Sequence, residues 1–245
     1  MLVDVHCHLV FPQLYRKRNE IIKRAKEAGI SAIIECATDV MTNRKVKKLS
    51  EEFKIIKPAY GIFPTEAEPM SKQEILSEIE WIKKQDMIAI SEIGLEGKNG
   101  KDFVKQEWAF RQFLKLAEEL KKPAIIHTRL YEKEVINILK EFKVKSVLHC
   151  YTGPLKLVDE ALKLGCLFSI PPMVVYNTGM QELVKKLPLQ HILTETDSPY
   201  LGPERGKDNE PANVAVTIKE IAKIKGLTEE EVKQIIFMNY QRLFL

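Results

Sequence analysis

The sequence predicts an α/β fold, a TIM-type (β/α)8 barrel that forms a single domain over residues 1–245. Short apolar segments rich in β-branched residues alternate with longer amphipathic segments, a pattern typical of parallel sheets with helical crossovers. The alternation repeats about every 30 residues, which gives about eight units, the number that closes such a barrel. No stretch rich in Pro, Gly or Ser divides the chain, and no Gly-rich phosphate loop favours a doubly wound sheet instead.

Each predicted strand is short and apolar enough to be buried on both faces, as strands of a parallel sheet are. The eight segments are Leu2–His6, Ser31–Cys36, Pro58–Ile62, Met87–Glu92, Pro123–His127, Ser146–His149, Leu167–Ile170 and His191–Asp197. In a barrel, the carboxyl ends of all strands meet on one face, where the active sites of this fold lie.

Helices are predicted between the strands because apolar residues there recur at intervals of three and four positions. The longest runs over Phe103–Leu120. Gly29 and Gly165 are expected to end two other helices. Capping boxes at Ser71–Glu74 and Thr228–Glu231 are expected to begin two more.

Composition places the chain among ordinary globular proteins. Hydrophobic residues make up 45% and charged residues 29%, which excludes a disordered chain. The four cysteines include no C-x-x-C pair, so neither a disulfide scaffold nor a zinc ribbon is indicated. No signal peptide or bilayer-length apolar span is recognised, so we expect a cytoplasmic protein without a membrane partner. The net charge of +4 permits an anionic substrate, and a monomer is compatible with the sequence.

Four of the five histidines lie at predicted strand ends, together with two acidic residues. His6 and His8 are two residues apart, so strand alternation turns both imidazoles to the same side. The other members of this set are Glu92, His127, His149 and Asp197. Because these strand ends converge, we expect the six side chains to meet at the barrel mouth. So many buried polar groups would be costly without a partner, and a metal ion is the partner that suits them all.

Imidazole and carboxylate groups are ligands for divalent ions such as Zn²⁺, Mn²⁺ or Mg²⁺. Six ligands exceed a single catalytic site, which takes three protein ligands and a water. Two ions about 3.5–4 Å apart can share a bridging carboxylate, so we predict a dinuclear site. The predicted ligands are His6, His8 and Asp197 for one ion, His127 and His149 for the other, and Glu92 as the bridge.

Several groups of residues, spread over essentially the whole chain, form ordered motifs. They are Asp4–Leu9, Ser91–Leu95, Ile126–Arg129, Leu148–Gly153, Glu195–Leu201 with Arg205–Gly206 and Asn209–Pro211, and Asn239–Phe244. In sequence and order they resemble the motifs of the TatD-type metal-dependent deoxyribonucleases, most specifically in Glu195–Leu201. This resemblance implies an amidohydrolase-like barrel and a metal-dependent phosphodiesterase activity. It also implies metal roles for the same six residues.

Three segments depart from the pattern of that family. The family usually has Gly-x-His-Pro after strand three, whereas Gly61–Pro64 places Phe63 at the histidine position. After Leu95 the family commonly continues with Asp-Tyr, and this chain has Glu96–Gly97. The segment Pro171–Tyr176 is also unusual. None of these residues is a predicted ligand, so the departures bear on the substrate rather than on metal binding.

The predicted reaction is hydrolysis of a phosphodiester by a water that two metal ions activate, with DNA as the favoured substrate. Glu92 and Asp197 are the predicted catalytic residues. Asp197 is expected to orient the attacking water and to accept its proton.

Three side chains are predicted to bind the substrate. They are Arg129, Arg205 and Tyr200. The arginines would bind phosphate, and the tyrosine would stack on a base. Arg205 and Tyr200 lie in Pro199–Pro211, a polar loop whose length is typical of functional loops.

Two alternatives remain open from the sequence. Ester hydrolysis at the same metal site, as by a D-aminoacyl-tRNA deacylase, fits the mildly basic charge equally well. Related cyclic amidases often bridge their metals with a modified Lys from strand four, and Glu92 in that place argues against them. A non-enzymatic scaffold predicts missing ligands, and none of the predicted ligands is missing.

Overall fold

The computed structural model describes residues 1–245 and shows eight parallel strands in a nearly closed barrel. The strands are β1 (Leu2–Cys7), β2 (Ile30–Cys36), β3 (Ile56–Tyr60), β4 (Ala89–Glu96), β5 (Ala124–Arg129), β6 (Ser146–His149), β7 (Leu167–Ile170) and β8 (Ile192–Thr194). Each strand pairs with the next one in the chain, so the sheet order is the sequence order. The predicted TIM-type barrel is confirmed.

Eleven α-helices connect and follow the strands. They are α1 (Pro12–Tyr15), α2 (Arg18–Glu27), α3 (Val40–Glu52), α4 (Pro64–Ala67), α5 (Lys72–Ile82), α6 (Phe103–Leu120), α7 (Glu132–Leu139), α8 (Val158–Lys163), α9 (Thr178–Lys186), α10 (Val214–Lys225) and α11 (Glu229–Phe244). Helix α6 has the predicted bounds, and the capping boxes predicted at Ser71 and Thr228 are formed. None of the helices has both the length and the apolar character that a membrane span requires.

The ends of the strands that carry site residues differ from expectation. Strand β8 ends at Thr194 because the chain turns soon afterwards, and Asp197 has a left-handed φ of 53°. Asp197 therefore lies in the loop beyond the strand. Strands β4 and β5 run past Glu92 and His127 because Gly94, Leu95 and Glu96 pair in register with the segment His127–Arg129. The extension places further side chains at the barrel mouth.

Side chains close the seam between β8 and β1. The carboxylate of Asp4 accepts from the Thr196 backbone N–H at 2.9 Å and from the Thr196 hydroxyl at 2.5 Å. The backbone N–H of Asp197 donates to the carbonyl of His6 at 2.8 Å. These bonds hold the loop after β8 against β1. His6 and Asp197 therefore lie side by side although they are 191 positions apart in the sequence.

Asn239 ties the last helix to the sheet. This side chain is buried, and its amide donates to the carbonyls of Leu189 and Ile192, each at 2.8 Å. Leu189 lies just before β8 and Ile192 is its first residue, so the amide fixes the start of that strand. A buried amide with two partners contributes to stability mainly because its loss leaves those partners unpaired.

Replacing Asn239 by Ala should lower the free energy of unfolding by about 2 kcal/mol, because two buried carbonyls lose their donor. Equilibrium urea unfolding measures the change. Gln234→Ala, on an exposed position of the same helix, is the matched control and should stay within about 0.5 kcal/mol of the parent. Equal effects of the two substitutions would contradict this role for Asn239.

Candidate metal centre

The six predicted donors meet at the carboxyl ends of the strands. His6 and His8 come from the end of β1 and the residue just beyond it. Glu92 lies within β4 and His127 within β5, while His149 ends β6. Asp197, from the loop after β8, completes the cluster. The rings of His6 and His149, from opposite parts of the chain, are stacked with their centroids 4.0 Å apart.

One group of donors lies on the β1 side of Glu92. The Nε2 atoms of His6 and His8 are 3.1 Å apart, and each is 3.4 Å from Oε2 of Glu92. Oδ1 of Asp197 lies 3.5 Å from Nε2 of His6 and 3.3 Å from Nε2 of His8. Four lone-pair donors therefore face one another around a common centre.

A second group lies on the other side of the same carboxylate. Oε1 of Glu92 is 3.1 Å from Nδ1 of His127 and 3.0 Å from Nε2 of His149. The two imidazole nitrogens are 3.2 Å apart. This group has three donor residues, and all three line the cavity. The arrangement matches a catalytic zinc site, in which three protein ligands leave one position for water or substrate.

The spacing of the donors fits divalent cations. Four ligands around Zn²⁺ at about 2.0–2.1 Å lie about 3.3 Å from one another in a tetrahedron. The spacings in the two groups run from 3.0 Å to 3.5 Å. Several of these contacts join two imidazoles or are longer than good hydrogen bonds, so hydrogen bonding alone does not account for the geometry. The cluster of His and Glu side chains could bind metal.

Three groups behind the imidazoles fix their orientation. Oε2 of Glu96 lies 2.9 Å from Nε2 of His127. The carbonyl of Cys36 lies 2.8 Å from Nδ1 of His8. The carboxylate of Glu195 lies 3.7 Å from Nδ1 of His149, near enough for an ionic contact but long for a hydrogen bond. Such partners fix the tautomer of a metal-binding histidine and raise its basicity.

The electrostatics of the cluster favour positive charge at its centre. Burial lowers the pKa of His6 to about 4, so this imidazole is neutral at neutral pH. Burial also lowers the pKa of His8, but Asp197 and Glu92 outweigh it and raise that pKa to about 9. Burial acts to raise the pKa of Glu92, yet the imidazoles of His149 and His6 hold it well below its ordinary value. Glu92 is therefore ionised.

A cavity of about 770 Å³ opens above the donors, and two of the three predicted substrate-binding residues line it. Arg129 and Tyr200 line it. Arg205 does not, because its guanidinium lies over the ring of Tyr176, 4.6 Å from the centroid. The structure does not place Arg205 on this cavity, and its contact with the substrate stays a prediction. Phe63, at the position of the family's usual histidine, also lines the cavity.

A parallel eight-stranded barrel with histidine and carboxylate donors at its mouth belongs to the class of metal-dependent barrel hydrolases. Within that class, the chain belongs to the TatD related DNase family, whose model matches residues 3–245. The resemblance seen in the sequence motifs is thereby confirmed. The protein is an enzyme, a metal-dependent hydrolase, and the non-enzymatic scaffold is rejected.

Individual relatives agree with this placement. The chain is 36% identical to an uncharacterized metal-dependent hydrolase of Methanocaldococcus jannaschii, covering 99% of this chain and 96% of the relative. It is 33% identical to the deoxyribonuclease TATDN3 of Homo sapiens, covering 99% of this chain and 94% of the relative. Among solved structures, YjjV, a TatD homologue from Escherichia coli, superposes with a TM-score of 0.92 at 26% identity. That superposition covers 99% of this chain and 97% of YjjV.

Replacing Glu96 by Ala should weaken metal binding about 10- to 100-fold, because His127 loses the group that orients its ring. Competition with a fluorescent zinc chelator measures the affinity. The effect should fall on metal held by the three-donor group, since Glu96 contacts only His127 of that group.

Glu66→Ala is the matched control, because Glu66 is an exposed carboxylate on the wall of the same cavity and contacts none of the donors. It should leave the affinity for metal within a factor of about two. If both variants weaken metal binding to the same extent, charge in the cavity matters and the orientation of His127 does not.

Proposed function

We propose that the protein is a deoxyribonuclease, a phosphodiesterase that works with two divalent cations, Zn²⁺, Mn²⁺ or Mg²⁺, in one centre. The observation that carries the proposal is the position of Glu92, whose two carboxylate oxygens face two separate groups of donors. A carboxylate shared in this way is typical of two-metal hydrolases.

Each donor has a role in the proposed centre. His6, His8 and Asp197 would hold one ion, His127 and His149 would hold the other, and Glu92 would be shared between the two. All members of the three-donor group line the cavity, whereas His6 of the four-donor group does not. The three-donor group would therefore hold the cation that exchanges with water or substrate. The four-donor group is the more enclosed of the two and holds its cation more tightly.

When bound, divalent cations supply Lewis acidity to the phosphoryl group and lower the pKa of water to about 7. Asp197 is placed to take the proton of the attacking water, since its side chain is 15% exposed against 4% for Glu92. Its Oδ1 atom faces the imidazoles, which leaves the second oxygen for the water. Arg129, on the cavity wall, offsets the charge that develops on the phosphoryl oxygens.

DNA is the proposed substrate because the family is named for its DNases and the human relative is named a deoxyribonuclease. A phosphate diester also suits a site that combines cations with one arginine. The alternative from the sequence, hydrolysis of D-aminoacyl-tRNA, receives no support from these names.

Replacing Glu92 by Ala should reduce the bound metal from two equivalents to one or none and lower turnover of DNA at least about a thousandfold. Elemental analysis after gel filtration gives the metal content, and release of labelled nucleotides gives the rate. His149→Ala should also lower the turnover of DNA and should lose mainly one equivalent of bound metal.

His191→Ala is the matched control for His149→Ala. His191 precedes β8 at the opposite face of the barrel, where its Nδ1 contacts the carbonyl of Cys166 at 2.9 Å. It should keep both metals and full turnover. Retention of two metals by Glu92→Ala would contradict the bridging role.

The substrate assay separates the two ester chemistries. Metal-loaded protein should cleave DNA. Treatment with EDTA should abolish this activity, and addition of Mn²⁺ should restore it. Charged D-aminoacyl-tRNA, offered at the same concentration, should be turned over at least about a hundredfold more slowly, because the site is matched to a phosphoryl transition state. Faster turnover of the charged tRNA would overturn the proposed activity and favour the deacylase.

A further inference from the structure

Aromatic side chains flank the two donor groups. The ring of Phe11 lies parallel to that of His8, with centroids 4.7 Å apart and an interplanar angle of 8°. Tyr200 meets Phe11 edge-on at 6.4 Å. On the other side, Phe63 packs against His127, with centroids 4.7 Å apart and an angle of 65°. Each half of the centre therefore has its own aromatic neighbour.

These aromatic rings are accessible from the cavity. Tyr200 is 49% exposed, and Phe11 and Phe63 are half-buried cavity-lining residues. Apolar ring surface left open beside a polar centre is surface that a flat ligand can cover. The family's usual histidine could have formed a hydrogen bond at position 63, whereas phenylalanine can only pack or stack.

The backbone holds Phe63 in place. Its N–H donates to the carbonyl of Thr38 at 2.7 Å. Two residues earlier, the Asn43 amide binds both the N–H and the carbonyl of Gly61, at 3.1 Å and 3.0 Å. A Cβ on Gly61 would lie 2.7 Å from the backbone of Ser91, so this loop packs directly against β4. A ring fixed in this way loses little freedom when it binds a ligand.

The charges of the cavity do not suit a long run of phosphates. Arg129 is the one lysine or arginine among the lining residues, while Asp39, Glu66 and Glu96 add negative charge. The net charge of +4 is therefore not concentrated at this opening. Recognition of a nucleic-acid backbone needs one cationic contact for each phosphate neutralised. The cavity can serve one phosphate in this way, and its three aromatic lining residues, Phe11, Phe63 and Tyr200, offer ring surface instead of charge.

We propose that Phe63 and the Phe11–Tyr200 pair are two nucleobase-binding subsites, one on each side of the scissile phosphate. The inference rests on the proposed phosphodiesterase function. A diester held at the centre extends its two substituents toward the two aromatic walls, and in a nucleic acid each substituent carries a base. The ligand is thus a dinucleotide unit, recognised through one phosphate and two stacked bases.

The test compares thymidylyl-thymidine with analogues in which a tetrahydrofuran abasic residue replaces one base or the other. For the Mn²⁺-loaded parent protein, removal of either base should raise KM at least about fivefold, the lower end of the range for base–aromatic stacking. The ratio to compare is the KM of an abasic analogue divided by the KM of thymidylyl-thymidine. Phe63→Leu should bring this ratio close to one for one of the two analogues, and Tyr200→Leu should do so for the other. Phe63→Tyr should restore the ratio.

Phe237→Leu is the control, because Phe237 is a half-buried aromatic residue on α11 and lies outside the cavity lining. It should leave both ratios as in the parent. A role of Phe63 in folding alone would change kcat for all substrates together and would leave the ratios unchanged.

Two negative results are distinguishable. Cleavage of all the dinucleotides with equal KM, or ratios that survive both leucine substitutions, overturns the base subsites and leaves the nuclease in place. No cleavage of any dinucleotide or of DNA, while bis(p-nitrophenyl) phosphate is hydrolysed, overturns the proposed nuclease function and the subsites with it.

Discussion

The arrangement of four imidazoles around the carboxylate of Glu92 is the constraint on which the site depends. This carboxylate is buried, and each of its oxygens faces two imidazole nitrogens at 3.0–3.4 Å. A buried carboxylate is costly unless its charge is compensated. Imidazoles compensate part of it, and divalent cations would compensate the rest while using the same lone pairs. Metal binding should therefore also stabilise the fold, since the donors are bound only in the folded chain.

The barrel brings these donors together from distant parts of the chain. Parallel strands in chain order place every carboxyl end on one face, and alternation then selects which side chains point inward. The seam between the first and last strands is the least regular part of this frame. There Asp4 and Thr196 replace part of the backbone ladder, and their hydrogen bonds bring Asp197 to its place beside His6.

Much of this was predictable because strand alternation and strand ends are local properties of a sequence. The eight strands, α6 and the convergence of six donors all follow from them. Glu96 was missed, although continuing the alternation from Glu92 through Gly94 reaches it on the same side. The strand predicted from the sequence ends at Glu92, whereas β4 continues to Glu96 because its length depends on pairing with β5. The position of Arg205 was not predictable, since its loop has no periodicity and its place depends on stacking over Tyr176.

Anomalous diffraction from crystals grown with Zn²⁺ tests the central claim most directly, with data collected on both sides of the zinc absorption edge. A shared carboxylate predicts two anomalous peaks about 3.5–4 Å apart, each next to one oxygen of Glu92. A single peak, or two peaks of which only one contacts Glu92, would contradict it.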